Sequence, residues 1–309
     1  MSSIFIQIPS YRDFEINKTI ASAVNNASGQ NTLHFGIHQC LLFDSEIVIN
    51  TNYPDWVKIS FVNSIAPENI GLQKSRYIAN KFYGNEDYYF QIDAHMRFVK
   101  NWDLKAIGMM NWYIDIGISN PLITAYPSSY WYLDDGVTEH HTDYYPTKIL
   151  FVQNLNQFKT TLIPLNTAYP TNKYCGYTAS VSGGCIFTLG SFAKIKPNQK
   201  IAFWGEEPLI AARAFTHGFD LVTPPDHLVS HLYAEDKPFK KMRRHHVWND
   251  FPEIWNEIDA ISKAEYSSIF TDRRISDDAL GSIRTLEEYE QFAGLNFKTG
   301  QIHQLKWVE

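Results

Sequence analysis

The first 125 residues alternate short apolar runs with amphipathic segments, and this alternation constrains the fold more than any other feature. The runs are Ile4–Ile8, Leu33–Leu42, Val57–Val62, Tyr88–Ile92 and Leu122–Ala125. Between them lie helix-like stretches near Phe14–Asn26 and Pro67–Tyr83, the second with Pro67 at its start and Gly84 just past its end. Strand and helix in alternation predict an α/β fold with a mostly parallel sheet flanked by helices. Ligands of such sheets sit off the carboxyl ends of the strands. The fourth run ends there in a chemically loaded way: YYFQIDAHMR places Asp93 and His95 one residue apart. Residues i and i+2 of an extended chain share a side. A carboxylate and an imidazole so placed suit a divalent ion such as Mn²⁺ (or Mg²⁺), with open positions for diphosphate oxygens. Taken alone, an Asp-x-His is better explained by an Asp that caps a turn and a structural His; the apolar strand before it, the parallel-sheet pattern and a second cluster downstream shift the balance to a metal site.

A second cluster stands downstream. Trp204, Gly205, Glu206 and Glu207 precede a helical run, Glu206–His217, whose Leu209, Ile210 and Arg213 spacing permits one buried face, and Gly218 sits at its expected end. Two carboxylates at a helix start complement its dipole, yet an aromatic, a glycine and a carboxylate at such a junction also suit a sugar site. The segments FDLVTPP and HLVSHLY read as strands, and both His227 and His231 are candidates for a third metal ligand. His231, which ends an apolar run, is preferred. Near the end, Thr285 and Glu288 have capping-box spacing and Gly294 closes a short helix.

The chain has 309 residues and no evident linker, so it reads as one domain over 1–309, with 240–309 a C-terminal appendage or lid. The region 131–174 is polar and aromatic and reads as a long excursion with a strand or two, as a functional loop or lid would be. Its aromatics, in SSYWYLDD and HHTDYY, could line a groove. His140, His141 and the run Arg243–His246 read first as solvated residues, although the last could reach a diphosphate when a lid closes. A net charge of −6 argues against a nucleic-acid partner. Three cysteines without a CxxC pair point to a reducing, cytoplasmic setting. No stretch of about 18 apolar residues predicts a transmembrane segment, and the first residues lack the pattern of a signal peptide.

The chain resembles the glycosyltransferases related to the Skp1-hydroxyproline N-acetylglucosaminyltransferase, of the GT-A type, and is more distantly similar to the polypeptide GalNAc-transferases. The resemblance rests on IPSYRD (8–13), GLQKSRYIA (71–79), YYFQIDAHMRFVKNWD (88–103), WGEEPLIAARAFTHGFD (204–220), HLVSHLY (227–233) and LGSIRTLEEYEQFAG (280–294). It implies retaining, metal-dependent transfer of GlcNAc or GalNAc from UDP-GlcNAc or UDP-GalNAc to a hydroxyl on a protein or a glycan. It makes Asp93, His95 and His231 the ligands of Mn²⁺ (or Mg²⁺). Ser10, Tyr11 and Arg12 would flank uridine, and Arg76 and Gln91 would serve the donor. Ser182, Gly183 and Gly184 would let backbone approach the donor sugar. Trp204 and Glu207 would contact that sugar, with Glu206 beside them. One departure is Gln73-Lys74-Ser75, where the family often carries Cys-Trp-Ala. The competing readings are a non-enzymatic sugar-binding module and a metal hydrolase acting on phosphoesters.

Overall fold

The computed structural model describes residues 1–133, 135–152, 163–170, 176–233, 244–303 and 305. Cys175, Arg243 and the expected start of the appendage at Lys240 lie outside the described residues, as does part of the 131–174 region.

Five strands follow the predicted runs: β1 (Ser3–Tyr11), β2 (Thr32–Leu41), β3 (Val57–Ile65), β4 (Tyr88–Ile92) and β6 (Pro121–Thr124). Between β4 and β6 come a short β5 (Met96–Phe98) and a helix, α3 (Trp102–Asp115). Helices α1 (Ile16–Asn26) and α2 (Leu72–Asn80) cover the earlier crossovers. The second begins five residues later than the proline signal predicts. The Ala66–Pro67 peptide is cis, and the chain turns twice more, at Asn69 (φ 56°) and Gly71 (φ 112°), before helical geometry starts. Residues 66–69 form a turn, so Pro67 precedes the helix instead of starting it.

The described residues of the 131–174 region hold more strands than the one or two expected. They contribute the end of β7 (Ser128–Tyr132), then β8 (Glu139–His141), β9 (Thr147–Val152) and β10 (Leu165–Pro170). The chain continues through β11 (Cys185–Leu189), α4 (Glu206–Thr216), β12 (Asp220–Val222) and β13 (Val229–Leu232). A short α5 (Val247–Asp250), a long α6 (Pro252–Thr271) and α7 (Leu286–Ala293) complete it.

The main sheet has the order β3-β2-β1-β4-β11-β6-β12. β1 pairs in parallel with both β2 and β4, whereas β11 is antiparallel to β4 and β6. The strand order reverses at β1 and β4, so the crevice between their carboxyl ends is the place a ligand is expected. A second sheet, β5-β13-β7-β8, stands beside it, and β9 and β10 form a hairpin.

Alternation along the strands sorts the core onto two faces. Ile4, Ile6, Ile8, Phe90 and Ile92 pack with residues of α1 and α3. Phe5 and Tyr89 face the other way, against α4, α6 and α7. Helix α4 is buried over nearly its whole surface, Arg213 included, rather than along one face. Arg213 Nε donates to the Ala279 carbonyl at 2.7 Å, so its charge is accommodated by backbone oxygens. The capping box of α7 forms as predicted, with Thr285 and Glu288 bonded reciprocally and Gly294 left-handed (φ 65°).

Candidate functional site

The chain bends at Asp93–His95 instead of continuing extended. β4 stays in the main sheet, and β5 leaves it to pair with β13. This bend, not simple alternation, brings the two residues together. In the second sheet His231 pairs with Met96, beside His95. As a result Asp93, His95 and His231 each offer a ligand atom within 4.8 Å of the others. His95 Nε2 and His231 Nε2 are 2.9 Å apart, and His231 Nε2 is 3.3 Å from Asp93 Oδ2. His227 is turned elsewhere: its Nε2 lies 2.8 Å from the Val229 carbonyl, and its ring stacks on Tyr144.

The electrostatics suit a cation. Burial, with His95 and Arg244 acting in the same direction, lowers the His231 pKa to about 4, so its ring is neutral near pH 7. Burial works against the charge of Asp93. The His231 hydrogen bond, His95 and Arg76 outweigh it and hold the carboxyl well below its usual range. Among the described residues His231 Nδ1 is buried without a hydrogen-bond partner. Two converging imidazole nitrogens and an ionised carboxylate form a donor set that fits Mn²⁺ or a similar ion.

A second layer holds this triad. Asp13 Oδ2 lies 2.7 Å from His95 Nδ1, and burial of Asp13 is more than offset by His95, so its carboxyl stays below the usual range. Arg76 is fully buried behind Asp93, at 3.4 Å from its Oδ1. Its Nε donates to Glu206 Oε1 at 2.7 Å, its Nη1 to Gln7 Oε1 at 3.0 Å and its Nη2 to the Gly183 carbonyl at 2.8 Å. Gln73 Nε2 also donates to Glu206 Oε1, and Gln91 Nε2 to the Gly183 carbonyl, each at 2.7 Å. Arg76, Gln91 and Glu206 are thus interior residues satisfied by one another. Burial lifts the Glu206 carboxyl above the usual range, against the pull of Arg76 and Gln73.

Glu207, the next residue, has a different setting. It accepts from the Gly183 N–H, Tyr126 OH and Asn166 Nδ2, all at 2.8 Å, and lines the cavity. Burial pushes its pKa up to about 7. Neither Tyr126 nor Asn166 was singled out in the sequence, since only the fold brings 126, 166 and 207 together.

The cavity of about 380 Å³ runs from the carboxyl end of β1 past the triad to Glu207. Ser10 and Tyr11 line it at one end, with Ser182 and Gly184 beside the triad. Gly184 makes room for a carboxylate: a Cβ there would meet Asp93 Oδ2 at 2.5 Å. Gly183 stands behind, facing Glu206 and Arg76. Trp204 is outside the lining and packs in the core against Phe203. The aromatics of β7 belong to the second sheet and do not line the cavity, and Tyr144 stacks on His227. Tyr130 and Tyr132 are buried, Trp131 packs on His140, and His141 stacks on Tyr130. The cavity's tyrosines are Tyr11, Tyr126 and Tyr233.

The C-terminal part covers one side of the cavity with His245, His246, Trp248 and Trp255. Arg12, in the left-handed region at φ 48°, points to this cover: Nε pairs with Glu46 at 2.7 Å and Nη1 with Asp250 at 2.6 Å. Tyr11 OH also donates to Asp250, at 2.8 Å. Arg244, from the basic run, reaches inward and contacts His95 Nε2 through Nη1.

Among the described residues no helix is long and apolar enough to cross a membrane. No curated protein matches the chain. Among solved structures, GalNAc-T7 with UDP, GalNAc and Mn²⁺ is similar at 13% identity with a TM-score of 0.54, over 94% of this chain and 54% of that one. The chain therefore spans about half the length of that relative, with which it shares a fold. Staphylococcus aureus TarS 1–349 in complex with UDP-GlcNAc is similar at 12% identity with a TM-score of 0.45, over 87% of this chain and 71% of that one. The large, mostly parallel sheet flanked by helices is thus the GT-A arrangement expected from the sequence. A model of the family described as Glycosyltransferase (GlcNAc) matches residues 70–299, most of the chain. The protein belongs to that glycosyltransferase family.

Proposed function

We propose that the chain transfers GlcNAc or GalNAc from a UDP-sugar to a hydroxyl acceptor, with retention of anomeric configuration and with a divalent ion held by Asp93, His95 and His231. The observation that carries this reading is the convergence of those three groups on one wall of a cavity at the strand-order reversal, with Glu207 at its far end. Family membership and the fold shared with GalNAc-T7, crystallised with UDP, GalNAc and Mn²⁺, support it.

In this reading Ser10 and Tyr11 flank the uridine. A bound Mn²⁺ (or Mg²⁺) would neutralise charge on the departing diphosphate. Arg244, already at the triad, supplies a second positive group there. Glu207 accepts hydrogen bonds from the sugar hydroxyls while Gly183, Tyr126 and Asn166 hold its carboxylate in place. Arg76, Gln91 and Glu206 position Asp93 and the Gly183 backbone from behind. The acceptor hydroxyl attacks from the face the diphosphate leaves, and a leaving phosphate oxygen takes its proton, so no protein base is needed. The acceptor is a protein or glycan hydroxyl.

The test is a donor screen with Mn²⁺ that follows UDP release across several nucleotide sugars. Asp93→Ala should lose about 100-fold or more in rate, as befits a lost metal ligand, with its melting temperature kept. Product analysis with peptide and glycan acceptors then separates the two acceptor classes.

A further inference from the structure

The start of α1 ties down the bend that carries His95 in two separate ways. One tie is to backbone: Thr19 Oγ1 donates to the Ala94 carbonyl at 2.7 Å and accepts from the Met96 N–H at 2.9 Å. The other is to a side chain: Asp13 Oδ2 meets His95 Nδ1 at 2.7 Å, with both side chains about nine-tenths buried (relative exposures 11% and 9%). The second oxygen, Oδ1, accepts from the Glu15 N–H at 3.0 Å, so the carboxylate is itself anchored at the helix entrance. The left-handed turn at Arg12 separates the neighbours: Arg12 reaches Asp250 and Glu46, and Asp13 reaches the triad.

We propose that Asp13 is a positioning residue for the metal centre: its carboxylate fixes the His95 ring with the proton on Nδ1 and the Nε2 lone pair aimed at Asp93 and His231. The inference rests on the metal-dependent reading above. An imidazole that ligates through one nitrogen commonly donates its other N–H to a carboxylate, which sets the tautomer and raises its basicity. His231 has no such partner among the described residues, since its Nδ1 is buried and unbonded. The two histidines are therefore unequal, and His95 is the one pre-aligned by the fold. In the sequence Asp13 belongs to the IPSYRD block, and nothing there links it to a histidine 82 positions on.

The bland role for Asp13 is to bond the Glu15 N–H at the entrance of α1. Asp13→Asn keeps an acceptor for that bond but replaces the charged partner of His95, whereas Asp13→Ala loses both. Binding of Mn²⁺ to the full chain, with and without UDP, can be followed by loss of the free-ion electron paramagnetic resonance signal. Asp13→Asn should weaken binding by about 10- to 100-fold, with a metal-free melting temperature within about 2 °C of the parent. Asp13→Glu should recover part of the affinity. If Asp93→Ala weakens Mn²⁺ binding while Asp13→Asn binds as tightly as the parent, the positioning role is wrong and the metal reading stands. If the parent binds no Mn²⁺, or Asp93→Ala leaves binding unchanged, both fall together.

Discussion

Two groups of polar residues meet at Gly183 and Gly184, built from similar side chains and differing in how fully they are satisfied. Behind the backbone, Arg76, Glu206, Gln7, Gln73 and Gln91 bond to one another and to the Gly183 carbonyl. In front, Asp93, His95, His231 and Glu207 face a cavity, and His231 Nδ1 is left without a partner among the described residues. A closed network specifies structure, whereas groups held in place but incompletely paired are set to receive a ligand. The adjacent glutamates show the contrast most sharply. Glu206 is the buried counter-ion of Arg76, and Glu207 lines the cavity.

The contrast predicts different failures for the two groups. The largest effect should come from behind. Arg76→Ala strands Glu206 without its counter-charge and should cost about 3–5 kcal/mol of stability, measured by urea unfolding. A loss below about 1 kcal/mol would mean the rear network is not the structural half. Gly184→Ala acts at the junction. Its Cβ must push the Asp93 carboxylate aside, so Mn²⁺ affinity should fall by about 10-fold or more. Its stability cost should be no more than about 1–3 kcal/mol. Retained affinity with a large stability loss would reverse the assignment.

Glu207→Gln sits wholly in front and should raise the donor KM by about 10-fold with little change in urea midpoint. It also carries a pH signature. Burial holds the Glu207 pKa at about 7, above the ordinary carboxyl value, so its contribution to stability is present at low pH and lost as pH rises through about 7. The melting-temperature difference between the parent and Glu207→Gln, which isolates this group, should therefore shift against the parent as pH rises from about 5 to 8. The smallest effect belongs to Arg12→Ala, which cuts the link Arg12 makes between Asp250 of the cover and Glu46. Faster hydrogen exchange at 244–250 with a modest rise in donor KM is expected.

The sequence conveys the front group better than the rear one. β1, β2, β3, β4 and β6 follow apolar runs, and Asp93, His95 and His231 stand at strand ends, where local pattern is informative. Arg76 and Gln91 look the same in sequence whether they face a ligand or a buried glutamate. Only the distant Glu206 and the Gly183 carbonyl decide it. Pro67-Glu68 reads as a helix start but lies in a turn, and α3 and α6 give no amphipathic signal strong enough to stand out. Trp204 illustrates a further limit, since an aromatic before Gly-Glu-Glu fits a sugar platform in pattern but packs in the core.

The central claim is that the front group works on a nucleotide sugar through a divalent ion. The direct measurement is UDP release from UDP-GlcNAc and UDP-GalNAc with Mn²⁺, with a chelator, and in Asp93→Ala. Release that requires Mn²⁺ and falls by about 100-fold or more in the folded variant is the predicted result. Turnover that survives the chelator, or that Asp93→Ala leaves unchanged, would contradict it.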